Sequence, residues 1–221
     1  MNYEDFIKSL STKERNNYER YSVLRGKQLY RIIYECLLKY SNNVSYTDVN
    51  SFVRYDKSMK NILYIFLGSL EEYIKNYIFT NFDFVNRTGY DETPINYYKD
   101  LPDIEKRTLC EYEITELYTR YGLNFKDMID LLRNHVNEQP FDIDKLNVVR
   151  NLRNDVMHHT PLLFNYKMES TAEIANARIS ALIELLPHGL KKDLIRKLNN
   201  ITKITMDNTK GLFNNLLLKY F

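Results

Sequence analysis

With 221 residues, 44% apolar and 27% charged, the chain can bury a real core and has an ordinary globular composition. Its 31 basic and 29 acidic residues leave a formal net charge of +2, which excludes a uniformly basic nucleic-acid coat and confines any such binding to a local patch. Cys36 and Cys110 lie far apart with no Cys-x-x-Cys, so a reduced compartment is expected and a metal site or other cofactor is not. The opening MNYEDFIKSL has acidic residues and no long apolar run, so no signal peptide is expected. The longest apolar stretch, Ile62 to Leu70, falls well short of the about 20 residues that a membrane span needs. A soluble, cytoplasmic protein with no membrane partner is the expectation.

Six Gly and five Pro are few breakers, and apolar residues recur at helical spacing almost throughout, which predicts an all-α protein. Ser11 or Thr12 can cap a first long helix over 13–40, with Glu14 in its first turn. Its stripe runs Tyr18, Tyr21, Leu24, Leu29, Ile32, Ile33, Cys36, Leu37 and Tyr40. SNNVSYTD interrupts it, and a short helix around 47–54 follows. Residues 56–81 carry the clearest pattern: Met59, Ile62, Leu63, Phe66, Leu70, Tyr73, Ile74, Tyr77 and Ile78 share one face and predict the central core helix.

Residues 82–101 read as an irregular loop, punctuated by Gly89 and Pro94, with Pro102 just beyond. Helices are predicted at about 102–121, ended by Gly122, and at about 124–136. After NEQPFD, Asp142 can cap the next helix. The last helical stretches are 168–186 and 189–218, split at Pro187, with a further break open near TMDNTKG. The chain reads as one domain, 1–221; the alternative division is an N-terminal helical part, 1–82, packed on a C-terminal part, 102–221.

The helix after Asp142 carries RNLRNDVMHH, Arg150 to His159, which holds two of the chain's four His. Each helical residue advances about 100°, so with Ile143 at zero, Leu146, Val149, Val156 and Met157 fall between about 220° and 320° and define a core side. Arg153 falls at about 280°, inside that stripe. Asn147, Arg150, Asn154 and His158 gather on a separate polar stripe near about 340° to 60°, and Asp155 lies near about 120°. An Arg turned to the apolar side must be paired, reach out to water, or face a cleft or partner surface.

Arg, His and a nearby amide suit metal-free phosphodiester cleavage. Imidazole changes charge most readily near neutral pH and can move a proton to or from the ribose 2′-OH or the leaving oxygen. The guanidinium fork can hold the phosphate. The same residues also suit a plain helix end, with His158 and His159 where positive charge is favoured and Pro161 as a stop. The residues alone leave both readings open.

RNDVMHH, Arg153 to His159, resembles the Arg-Asn-x-x-x-His form of the R-x4-6-H motif of HEPN ribonucleases. The longer VRNLRNDVMHHTPLL, with its doubled His and following Leu, resembles abortive-infection (Abi) proteins of the AbiD/AbiF type. In that family an upstream helix begins near an Asp and contains a Glu followed four positions later by a basic residue; Asp56, Glu71 and Lys75 match these. The resemblance spans roughly residues 15–185. It implies an HEPN-like all-α helical bundle, metal-independent endoribonuclease activity, a role as a toxin in antiviral (antiphage) defence, and a homodimer in which two such helices face one composite site.

The resemblance makes Arg153 the phosphate binder and His158 the general acid/base, with Asn154 positioning RNA or His158. His159 and Arg150 are supporting candidates. Glu71 lies about 50–60° off the apolar stripe of its helix, within reach of Arg153 or simply at a solvated flank. RNA is the expected partner, as substrate or as a bound non-coding RNA, and DNA is not. Lys191, Lys192, Arg196, Lys197 and Lys203 in the last helix can track an RNA backbone or form a solvated face. Besides the ribonuclease, the alternatives are an RNA-binding module with little or no cleavage and a structural, antitoxin-like helical protein.

Overall fold

A computed structural model describes residues 1–81, 124–135 and 140–221. The described residues form eight α-helices and one 3-10 turn, with a single isolated bridge between Phe164 and Ser170 in place of any strand. The protein is all-α. The expected loop at 82–101 and the expected helix at 102–121 lie outside the described residues.

Helix α1, Tyr3–Ser9, is capped by Asn2, whose side chain accepts from the Asp5 N–H. Two turns are too few to show a periodic stripe, so the pattern did not reveal it. Its one buried residue, Phe6, stacks on Tyr34 at 4.2 Å between ring centroids.

The single helix expected over 13–40 is two helices, α2 (Thr12–Arg25) and α3 (Lys27–Leu38). Ser11 is the cap of α2, in a capping box with Glu14. Gly26 breaks the run with φ +89, ψ 120, a conformation essentially confined to glycine. The bend interrupts the expected stripe, and Leu24 beside it faces solvent. Tyr18, Ile32, Ile33, Cys36 and Leu37 are buried, whereas Tyr40 is exposed and Leu24 is 76% exposed.

The two helices expected at 47–54 and 56–81 are one, α4 (Tyr46–Asn81), 36 residues long and so about 54 Å. No breaker separates Arg54 from Asp56, and Tyr55 and Asp56 are both buried inside the continuous helix. The stripe of Met59, Leu63, Phe66, Leu70, Ile74 and Ile78 is buried as the pattern requires; Tyr73 lies at its exposed margin.

Helices α5 (Phe125–His135), α6 (Ile143–Met157), α7 (Ala172–Leu185) and α8 (His188–Asn208) complete the set. The last expected helix, 189–218, stops at Asn208, within the TMDNTKG stretch where a further break was open. Lys210 and Gly211 both take positive φ, and the chain continues through a 3-10 turn, Asn214–Leu216. Helix α4 is the axis: α8, α3, α5 and α6 pack on it, and α7 packs on α6. One cluster of buried side chains runs from Phe6 to Leu218.

The C-terminal segment is tied to α4 through Tyr55. Its hydroxyl lies 2.6 Å from the Thr202 hydroxyl and accepts from the Leu218 N–H, and burial pushes the phenol up to about 12. Among the described residues no helix is long and apolar enough to cross a membrane. The break at Gly26 is tested by Gly26→Ala. A Cβ meets no neighbour there but strains the backbone, so urea denaturation should show a loss of about 1–3 kcal/mol.

Candidate functional site

Asp142 caps α6, its carboxylate accepting from the Lys145 N–H. The helix buries Leu146, Val149, Leu152 and Val156. Leu152, at about 180° on the wheel, moves the centre of the buried face away from Met157, which is only partly buried. Arg153 therefore sits at the edge of the buried face and not in its middle, with 29% of its side chain exposed.

That edge meets α4 at Glu71, the partner that its position allowed. Arg153 Nε lies 3.7 Å from Glu71 Oε2, an ion pair too long for a hydrogen bond, and the buried Nε makes no hydrogen bond. One turn further along α4, burial lowers the Lys75 ammonium while Glu71 and Glu72 oppose that shift. Asn154, His158 and His159 are exposed and Arg150 is partly so. Among the described residues these four side chains have neither hydrogen bond nor ion pair. The structure thus joins Arg153 to Glu71 but leaves His158 apart: the two lie five positions apart, about 140° around the helix. Asp155, on the far side, pairs with Arg178 of α7.

The doubled His forms the helix end. His158 is the C-cap, and its N–H reaches the Asn154 carbonyl at 2.9 Å. His159 takes φ +57; its N–H bonds the Val156 carbonyl, and the Thr160 N–H bonds the Asp155 carbonyl at 2.9 Å. This is the Schellman closure, in which glycine usually occupies the left-handed position. His159 holds it at a cost of about 1–2 kcal/mol relative to right-handed backbone.

The turn is held from α4. Lys60 Nζ donates to Asp56 Oδ2 at 2.5 Å and to the His159 carbonyl at 3.0 Å. Asp56 Oδ1 accepts from the Leu162 N–H at 2.8 Å. The two side chains are 2% and 9% exposed for Asp56 and Lys60. Leu162, Leu163 and Phe164 then enter the core, where Phe164 meets Phe52 edge-on at 5.5 Å. Asp56 is thus not near the start of its helix but eleven positions into it, and it fastens the turn. Sequence reasoning missed Lys60. The available signal was the Asp-x-x-x-Lys spacing on the same face as Met59 and Leu63, which is usually a surface ion pair.

The basic residues of α8 divide. Arg196 and Lys197 both pair with Asp193, which they hold below the usual carboxylate range, and Lys197 lies over the Phe66 ring at 5.2 Å. Lys192 and Lys203 are exposed and Lys191 partly exposed. Among the described residues no three His, Cys, Asp or Glu side chains come together as a metal site. Cys36 is buried, and burial pushes its thiol up to about 11.

These residues define an all-helical protein with an arginine–glutamate pair at the seam of two helices and a free, exposed imidazole apart from it, at the end of the same helix. Comparison with models of known protein families, with curated proteins and with solved structures finds no match. The clasp on the turn has a direct test. Lys60→Met strands the buried Asp56 carboxylate, and stability should fall by about 3–5 kcal/mol in urea denaturation. An unchanged midpoint would show that the pair does not hold the turn.

Proposed function

We propose that the chain is a metal-independent endoribonuclease of the HEPN type, acting as a dimer in abortive-infection defence against phage. The observation that carries this reading is Arg153: a half-buried guanidinium, held by Glu71 in a long ion pair, with a buried Nε that has no hydrogen-bond partner. Such a group is oriented yet retains donors for a phosphate. His158 and Asn154 are free side chains on the same exposed end of α6. In the reaction, one imidazole takes the proton of the ribose 2′-OH, and the 2′-oxygen attacks phosphorus. The bond to the 5′-oxygen breaks, and a protonated imidazole gives that oxygen its proton. The products are a 2′,3′-cyclic phosphate and a 5′-hydroxyl. Arg153 offsets charge on the non-bridging oxygens.

Two proton transfers at opposite oxygens call for two imidazoles. A second copy of α6 facing the first supplies another His158 and another Arg153, and the 140° between them within one helix ceases to be an obstacle. That same angle favours the second reading, an RNA-holding protein with little or no cleavage, for a chain that acts alone.

Cleavage of single-stranded RNA in EDTA is the test. Arg153→Ala and His158→Ala should each slow it by about 10²–10⁴-fold, and light scattering at micromolar concentration should give the mass of a dimer. Cleavage that survives both substitutions, or that needs a divalent metal, overturns the ribonuclease reading. RNA bound at low salt and left intact supports the second one.

A further inference from the structure

A cavity of about 230 Å³ lies between the bend of α2–α3 and helix α4, and His159 forms part of its wall. Its charged lining is almost wholly cationic. Arg25 and Lys57 have no ion pair with any described carboxylate; Arg25 rests at 5.4 Å from the Tyr21 ring, and Lys57 is exposed. The only carboxylate of the lining, Asp56, is engaged by Lys60 and by the Leu162 N–H. Lys60 itself gives one N–H to Asp56 and one to the His159 carbonyl. An ammonium has three donors, so a buried one remains without a protein acceptor among the described residues.

Apart from His159, the rest of the lining is apolar. Val53 is buried, Leu29 partly buried, and Leu24 stands 76% exposed at the bend. A solvent-exposed Leu beside two unpaired cations is an unfavourable surface for a structural corner and a suitable one for a ligand with both a flat apolar part and an anion. Arg25 contributes a planar fork suited to two phosphate oxygens, and Lys57 and Lys60 contribute point charges. The volume is too small for a folded segment of another protein and of the order of one nucleotide.

We propose that this cavity binds a phosphate-bearing nucleotide, and that the nucleotide is a unit of an RNA strand passing the His158–His159 turn. The source of the nucleotide rests on the ribonuclease reading; the cavity's chemistry does not. Lys60 links the two places, because the ammonium that meets the ligand also holds the His159 carbonyl. The cavity fixes the strand beside the turn while Arg153 and His158 act on a phosphate further along it.

The test uses the full chain with two probes: a short 2′-O-methyl single-stranded RNA, which 2′-OH chemistry cannot cut, followed by fluorescence anisotropy, and 5′-AMP, followed by calorimetry. Arg25→Gln with Lys57→Gln removes both unpaired cations from the surface, and thermal melting checks that the fold is kept. RNA affinity should fall about tenfold, and the slope of log K against log salt should shrink by about 1.4 for two lost contacts to a single strand. Loss of 5′-AMP binding with RNA binding unchanged supports the nucleotide site and makes a free mononucleotide its source. RNA and 5′-AMP binding that are both unchanged, or both absent in the parent, overturn the proposal. If the parent cuts no RNA yet the variant still loses RNA affinity, the ribonuclease reading falls and the cavity stands.

Discussion

A lysine ammonium and an aspartate carboxylate, both buried on α4, hold the end of α6. Asp56 and Lys60 each use one contact on the other and one on the backbone of the turn, at the Leu162 N–H and the His159 carbonyl. Two charges taken out of water are costly, and they are tolerated when their remaining hydrogen-bonding capacity is met. Here backbone groups meet much of it. The backbone groups gain in turn, since a helix end entering the core would otherwise bury unpaired amides and carbonyls. The position of His158, the left-handed backbone of His159 and the entry of Leu162 to Phe164 into the core all depend on this clasp.

The same helix serves the other half of the site. Asp56 and Glu71 lie fifteen residues apart on α4, so one rigid element carries both the clasp on the turn and the carboxylate that meets Arg153. A 36-residue helix with four others packed on it is a firm ruler. It sets how far the Arg153–Glu71 seam stands from the His158–His159 turn. The bend at Gly26 then places Leu24 and Arg25 against the same helix near the turn. Three features that look unrelated along the chain are thus gathered on one face of the long helix.

Much of the helical content was legible in the residues. The stripe from Met59 to Ile78, the Ser11 and Asp142 caps and the helix end after Met157 are local patterns, and local patterns survive folding. Two boundaries were not legible. Gly26 broke a stripe that looked continuous, because one residue without a Cβ can turn the chain without disturbing the spacing around it. Arg54 to Asp56 did not break a helix, because Tyr55 and Asp56 are held inside the continuous helix by partners far along the chain. Within the candidate site, Glu71 was within reach of Arg153 by angle alone, whereas Lys60 offered only the spacing of an ordinary surface ion pair. Besides Asp56, its partner is the backbone carbonyl of His159, 99 positions away.

The sequence by itself determined that the chain is helical, which residues line most of its core, and that one Arg and two His stand at the end of one helix. Helical periodicity and capping are short-range physics, acting over four residues or fewer. Only the tertiary structure decided what those side chains face. Arg153 meets Glu71, His158 stands free, and a buried Asp–Lys pair fastens the turn between the helix and the core. Each of these depends on elements far apart in the chain packing against α4, and a charge's partner is set by what packing brings within a few ångströms of it.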